Sequence, residues 1–155
     1  MIPAIRLKNH NFEEDLFGVS CRFIQLSPRI GLKLYLTKKE AKFAFLGQEK
    51  AYKKGLAPKL YSGVDRYVVR GIDEREGHED NRILYRSEFG FKTQIANPVL
   101  DYSLCDEYGN YSRKYENFLS KVYEANIPDQ DLHDDNLGLI NNKIVIIDFC
   151  SVSMS

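Results

Sequence analysis

Residues 137–148 read LGLINNKIVIID and are the stretch of the chain that decides its fold. Two short apolar runs flank Asn141 and Asn142, and Asn tolerates the positive φ angles that a two-residue hairpin turn requires. The stretch therefore predicts a β-hairpin. With a two-residue loop, position 140 faces 143, position 138 faces 145, and position 136 faces 147. Asn136 is thus expected beside the end of the second strand, next to Asp148.

A polar loop with several carboxylates leads into this hairpin, and it begins at Asp131. The hairpin register brings the Asn136 carboxamide close to Asp148, with Asp131 five residues upstream of Asn136. Oxygen ligands of these types are typical of magnesium and phosphate chemistry. The simpler alternative is a polar loop before an ordinary hairpin, with Asp148 merely ending a buried strand.

The spacing of Asp131, His133 and Asn136 matches the pattern D-x-H-x-x-N, and residues 148–150 read D-F-C. In these motifs the chain resembles the protein kinase-like superfamily, including the aminoglycoside and choline kinase branch, where the second motif is D-F-G. The resemblance implies that Asp131 is the catalytic base or orients the substrate hydroxyl. It also implies that Asn136 and Asp148 are magnesium ligands.

Upstream, an apolar strand and the apolar stripe of a helix each contain one charged residue. Residues 31–36 alternate, which places Lys33 on the face opposite the leucines. Thr37 and Glu40 form a capping box that opens a helix, and we expect this helix to run to about Lys54. Glu49 lies within its apolar stripe, which consists of Ala41, Phe45, Tyr52 and Leu56.

A buried charge needs a partner, so Lys33 and Glu49 are predicted to form an ion pair. Kinases pair a lysine of the third strand with a glutamate of the following helix. The resemblance therefore implies that Lys33 and Glu49 hold the α- and β-phosphates of a nucleotide. Considered alone, Lys33 could instead extend its ammonium group to solvent, and Glu49 could lie at the helix edge.

The middle of the chain predicts further strands over 67–72, 83–85 and 89–96. The last of them resembles the segment that enters a kinase hinge, which implies nucleobase contacts at residues 94–97, with Gln94 and Ala96 as the assigned contacts. Asn97 and Pro98 close the strand region and mark a lobe boundary. A helical stripe follows, consisting of Tyr111, Tyr115, Phe118, Leu119 and Val122.

The chain also departs from the kinase pattern. Residues 17–23 contain one glycine, Gly18, where the family usually has two or three, and Cys150 stands at the glycine of D-F-G. The sequence ends seven residues after Asp148, without an activation segment or A-P-E motif. These departures predict a reduced C-lobe, and they favour weak or absent catalysis.

Composition predicts one compact domain. The 155 residues carry 22 basic and 22 acidic side chains, so no net charge attracts nucleic acid or a membrane surface. The three cysteines have no C-x-x-C spacing, and the N-terminus lacks an apolar leader, so a reducing cytoplasm is the expected compartment.

We therefore predict an α+β, protein kinase-like fold in a single domain over 1–155. An N-lobe (1–96) would hold a small antiparallel sheet with one helix, and a reduced helical C-lobe (97–155) would carry the catalytic-loop hairpin. The predicted function is an ATP- and Mg²⁺-dependent phosphotransferase. One alternative is a catalytically weak or inactive pseudokinase that acts as a nucleotide-binding or protein-interaction module. The other is a metal-dependent hydrolase, in which His133 would ligate a metal with the neighbouring aspartates, whereas the kinase resemblance implies that His133 braces the loop.

Overall fold

The computed structural model describes residues 4–11, 22–73, 82–99, 104–127 and 136–147. They form an α+β fold with two helices and eight strands. The elements are β1 (Ala4–Asn11), β2 (Arg22–Gln25), β3 (Ile30–Tyr35), α1 (Lys38–Lys53), β4 (Asp65–Asp73), β5 (Arg82–Gln94), β6 (Asn97–Pro98), α2 (Arg113–Glu124), β7 (Leu137–Ile140) and β8 (Lys143–Ile146).

The larger sheet has the strand order β1-β4-β5-β3-β2. Strands β2 to β5 pair antiparallel, and the register places Lys33 opposite Phe91 and Leu34 opposite Gly90. Strand β1 pairs parallel with β4 at one edge, so the prediction of an antiparallel sheet fails at this strand. A parallel partner must come from a distant part of the chain, and no local turn in the sequence announces it.

Helix α1 lies on one face of this sheet. Thr37 caps it through a hydroxyl that accepts a hydrogen bond from the Glu40 amide at 3.1 Å, and Gly55 follows its end with a φ of 74°. The buried side chains of α1 are small or polar: Ala41, Ala44, Gln48 and Ala51. Because Tyr35 and Phe91 of the sheet already fill this interface, the helix approaches closely through its alanines.

The opposite face of the sheet is also buried. A cluster forms there from Leu32, Leu34, Tyr67 and Val69. Burial raises the pKa of the Tyr67 hydroxyl above its ordinary value, and the nearby Asp65 carboxylate raises it further. Glu88 is buried on this face, with the Arg22 guanidinium 3.1 Å away.

The predicted hairpin is confirmed. Strands β7 and β8 pair with Ile140 opposite Lys143 and Gly138 opposite Val145. Asn141 and Asn142 have φ angles of 50° and 64°, the left-handed values that a type I′ turn needs at both central positions. The hairpin joins β6 in a second, three-stranded sheet.

Helix α2 supplies the core beneath this second sheet. Its predicted stripe is confirmed at Tyr115, Phe118 and Val122, which are buried, whereas Tyr111 precedes the helix and is exposed. These side chains pack in one cluster with Leu137 and with residues after α1. Neither of the described helices is long and apolar enough to cross a membrane.

Candidate functional site

Lys33 is the charged side chain around which the candidate site is built. It lies in the middle of β3, and only 6% of its surface is exposed. Its ammonium group donates hydrogen bonds to Gln48 Oε1 of α1, at 3.1 Å, and to the backbone carbonyl of Ile147, directly after β8. Lys33 Nζ lies over the ring of Phe91, 5.9 Å from the ring centroid. Lys33 thus connects strand, helix and hairpin at one point.

Gln48 is fully buried, and its orientation is determined by its hydrogen bonds. The Nε2 group donates to the carbonyl of Pro58 at 2.9 Å and to the Thr93 hydroxyl at 2.7 Å. Since both amide hydrogens are taken by acceptors, Oε1 must face Lys33. The carboxamide therefore holds the lysine through a neutral acceptor and carries no charge of its own.

The predicted ion pair between Lys33 and Glu49 is wrong. Within the described part of the chain, the α1 side chain that contacts Lys33 is Gln48, and Glu49 is half-buried at the edge of the helix. The predicted stripe follows the bulky residues Phe45 and Tyr52, but Tyr52 is 44% exposed. The buried face of α1 therefore lies one position earlier in the sequence, at Gln48 rather than Glu49.

Sequence reasoning missed Gln48, although the chain carries a usable pattern. Positions 41, 44, 48 and 51 follow the three-and-four spacing of a helix face, and three of them are alanine. A stripe of small residues marks a close helix-to-sheet contact. Gln48 lies on the same helix face as these alanines. A polar residue on that face could have indicated a buried partner for Lys33.

Asn136 lies where the hairpin register predicts. The backbone carbonyl of Asn136 accepts a hydrogen bond from the backbone amide of Ile147 at 2.8 Å, and the Asn136 side chain is buried. The peptide groups of Ile147 are thereby engaged on both sides, the N–H by Asn136 and the C=O by Lys33. Two of the predicted site residues, far apart in sequence, meet at the residue that precedes Asp148.

The predicted nucleobase contacts, Gln94 and Ala96, lie between β5 and β6. The Gln94 amide donates to the Lys59 carbonyl at 2.8 Å, and its side-chain oxygen accepts from the Lys59 amide at 3.2 Å. Gln94 therefore binds Lys59, in the segment after α1, through both its backbone N–H and its side-chain oxygen. Ala96 packs against Gly138, where an added Cβ would approach the Ala96 Cβ to 2.7 Å. Base contact by these two residues stays a prediction.

Several predicted site residues lie outside the described residues: Asp131, His133, Asp148 and Cys150, together with the loop that contains Gly18. Their assigned roles stay predictions. Among the residues that are described, no group of three or more His, Cys, Asp or Glu is arranged to hold a metal ion.

Comparison with known proteins gives no relative for this chain: no protein-family model, no curated protein and no solved structure matches it.

Proposed function

We propose that this chain is a minimal kinase-like domain that binds ATP with Mg²⁺ and transfers phosphate to a hydroxyl acceptor. The observation that carries the proposal is the convergence on Ile147, where Lys33 binds the carbonyl and Asn136 binds the amide. These two bonds, from the Lys33 ammonium and to the Asn136 backbone carbonyl, involve the residue that precedes Asp148 in the sequence, and this supports the proposal.

Two of the described residues, Lys33 and Asn136, have side chains of types that suit a nucleotide and its metal. Lys33 offers a fixed ammonium group, and burial strengthens its attraction for a phosphate because fewer waters screen the charge. The Asn136 carboxamide could supply an oxygen ligand to Mg²⁺, and Asp148 would supply a carboxylate ligand. Bound Mg²⁺ would neutralise charge on the phosphate oxygens.

In this proposal each residue acts by position and charge. Lys33, held by Gln48, would orient the phosphates, while Asn136 and Asp148 would fix the metal. Asp131 would accept the proton of the acceptor hydroxyl or orient that hydroxyl for attack. Glu49 retains no role next to Lys33, because Gln48 occupies the position assigned to it.

A second candidate function is a nucleotide-binding module without turnover, and Gln48 is the observation that favours it. A neutral carboxamide stands where the kinase resemblance implies a carboxylate. The glycine-poor loop and Cys150 add two further departures in sequence. Binding without transfer is the result that this alternative predicts.

A thermal-shift scan of nucleotides, with and without Mg²⁺, tests the proposal. A ligand at one hundred times its dissociation constant adds about 2.7 kcal/mol of apparent stability, so binding should raise the melting temperature measurably. Lys33→Met and Asp148→Asn should remove the shift, measured against each variant's own unliganded value. Lys92→Met and Asp65→Asn change exposed residues and should keep it. Absence of any nucleotide-dependent shift in the unmodified protein would refute nucleotide binding.

Phosphate transfer separates the candidates. Asp131→Asn should eliminate transfer and retain ATP binding, because Asp131 acts on the acceptor rather than the nucleotide. An unmodified protein that binds ATP and transfers nothing to itself, to small-molecule hydroxyls or to proteins is the module. Metal binding without nucleotide binding would instead favour a hydrolase.

A further inference from the structure

A cleft of about 410 Å³ lies apart from Lys33, between α2, the turn of the hairpin and the residues that follow α1. Its floor is apolar and consists of Leu56, Phe118 and Ile144, all of which are buried. Two side-chain carboxamides, those of Asn117 and Asn142, also line it. We call this feature the α2 cleft.

The rim of the α2 cleft is cationic. Arg113, Lys114 and Lys121 project from α2, Lys143 projects from the start of β8, and all four side chains are exposed. No carboxylate is among the described residues that line the cleft, and none of the four cations forms an ion pair with a described carboxylate. The chain as a whole is neutral, so this concentration of positive charge is local.

The walls of the cleft are held in place before any ligand arrives. Lys114 Nζ donates to Asn142 Oδ1 at 2.9 Å, which joins α2 to the hairpin turn. The Ile146 amide donates to the Leu56 carbonyl at 2.8 Å, which joins the hairpin to the end of α1. Because these bonds already hold Lys114 and the cleft walls, those parts of the cleft add little ordering cost when a ligand binds.

We propose that the α2 cleft binds an extended acidic peptide segment of a partner protein. Arg113 and Lys121 are eight positions apart on α2, which is about 12 Å along a helix axis. At roughly 3.3 Å per residue of extended chain, carboxylates three or four residues apart on a peptide would reach both. The carboxamides of Asn117 and Asn142 would bind the peptide backbone between them. This site is independent of the nucleotide site proposed above.

Charge distribution favours a peptide over a nucleic acid. Nucleic-acid-binding domains usually carry a large net positive charge and a basic stripe that follows the phosphate backbone. This chain has a formal net charge of zero, and its cations here line an open cleft with an apolar floor. A short run of carboxylates matches that size and sign.

The test uses the full-length protein and a fluorescein-labelled oligoglutamate of about twelve residues, which presents every spacing of carboxylates and spans roughly 40 Å when extended. Fluorescence anisotropy at near-physiological salt should show saturable binding. The double variant Lys121→Glu/Lys143→Glu should weaken it by at least about tenfold, since each reversal replaces an attraction by a repulsion. Circular dichroism confirms that the variant is folded.

The matched control is Lys39→Glu/Lys92→Glu, which makes the same change in net charge at exposed lysines outside the cleft. It should keep affinity within about twofold of the unmodified protein. The proposal is overturned if the unmodified protein does not bind oligoglutamate, or if both double variants weaken binding equally. It is also overturned if oligothymidine of equal charge binds more tightly, which would identify a nucleic-acid site.

Discussion

Lys33 Nζ lies 3.1 Å from Gln48 Oε1, and this carboxamide is anchored from behind by Pro58 and Thr93. The lysine is thus held in place by a neutral group whose geometry does not depend on its own protonation. A glutamate at position 48 would attract Lys33 more strongly, but it could not donate to the Pro58 carbonyl. A carboxamide can both accept a hydrogen bond from Lys33 and donate one to the Pro58 carbonyl.

Gln48→Ala should lower the free energy of unfolding by about 2–4 kcal/mol, because it leaves buried polar partners unsatisfied and opens a cavity. Gln48→Glu should lower it by about 1–2 kcal/mol, since the gained ion pair offsets only part of the lost hydrogen bonds. If the nucleotide site is as proposed, Gln48→Glu should keep nucleotide binding, because a lysine–glutamate pair at this position is the arrangement that the kinase resemblance implies. Urea unfolding and thermal shift measure both effects.

The control for Gln48 is its neighbour. Glu49→Gln should change the free energy of unfolding by no more than about 0.5 kcal/mol, because Glu49 makes no ion pair with Lys33. A large loss in Glu49→Gln together with an unchanged Gln48→Ala would mean that Lys33 uses the glutamate in solution.

Gly90 should be irreplaceable even by alanine. It pairs with Leu34 beside Lys33, and a Cβ at position 90 would lie 1.9 Å from the Lys33 carbonyl oxygen, which is backbone and cannot rotate away. Gly90→Ala should therefore cost about 3 kcal/mol or prevent folding. Gly63→Ala is the matched control, because a Cβ there meets nothing within 4 Å, and it should be neutral or stabilising by up to about 1 kcal/mol. Equal urea midpoints for the two variants would contradict the close approach of β3 and β5.

The hairpin turn should discriminate between glycine and alanine at Asn141, whose φ is 50°. Asn141→Ala should cost about 1 kcal/mol of unfolding free energy because alanine is strained in the left-handed region. Asn141→Gly should be close to neutral, since glycine adopts that conformation without a steric penalty. Urea unfolding provides the measurement, and an alanine variant as stable as the glycine variant would argue against a type I′ turn.

Asp106 should contribute to stability only when it is ionised. Hydrogen bonds from the Asn110 backbone and side chain, and from the Tyr108 amide, hold the pKa of its carboxyl below the ordinary value of 3.8. Because the folded pKa is lowered, the contribution is complete above 3.8 and is lost as the pH falls through the folded value.

The difference in unfolding free energy between the unmodified protein and Asp106→Ala should therefore shrink as the pH falls below 3.8. Urea unfolding at several pH values on both sides of that value measures it. A difference that stays constant over the whole range would show that the carboxylate form is not the one that the loop stabilises.

Local patterns in the sequence were sufficient for the hairpin, its register and the N-cap of α1. Turn chemistry at Asn141 and Asn142 fixes the loop length, and the loop length fixes which residues face each other, so Asn136 could be placed opposite Ile147 in advance. The Thr37 cap and the stripe of α2 follow from equally short-range rules.

Tertiary structure decided what each helix and strand meets. The phase of α1 depends on the bulk of Tyr35 and Phe91 across the interface, and one position of rotation exchanged Glu49 for Gln48. The parallel pairing of β1 with β4 and the reach of Lys33 to Ile147 join residues far apart in sequence. Such contacts are selected by packing and by the need to satisfy buried polar groups in three dimensions, and neither requirement is written in any short stretch of the chain.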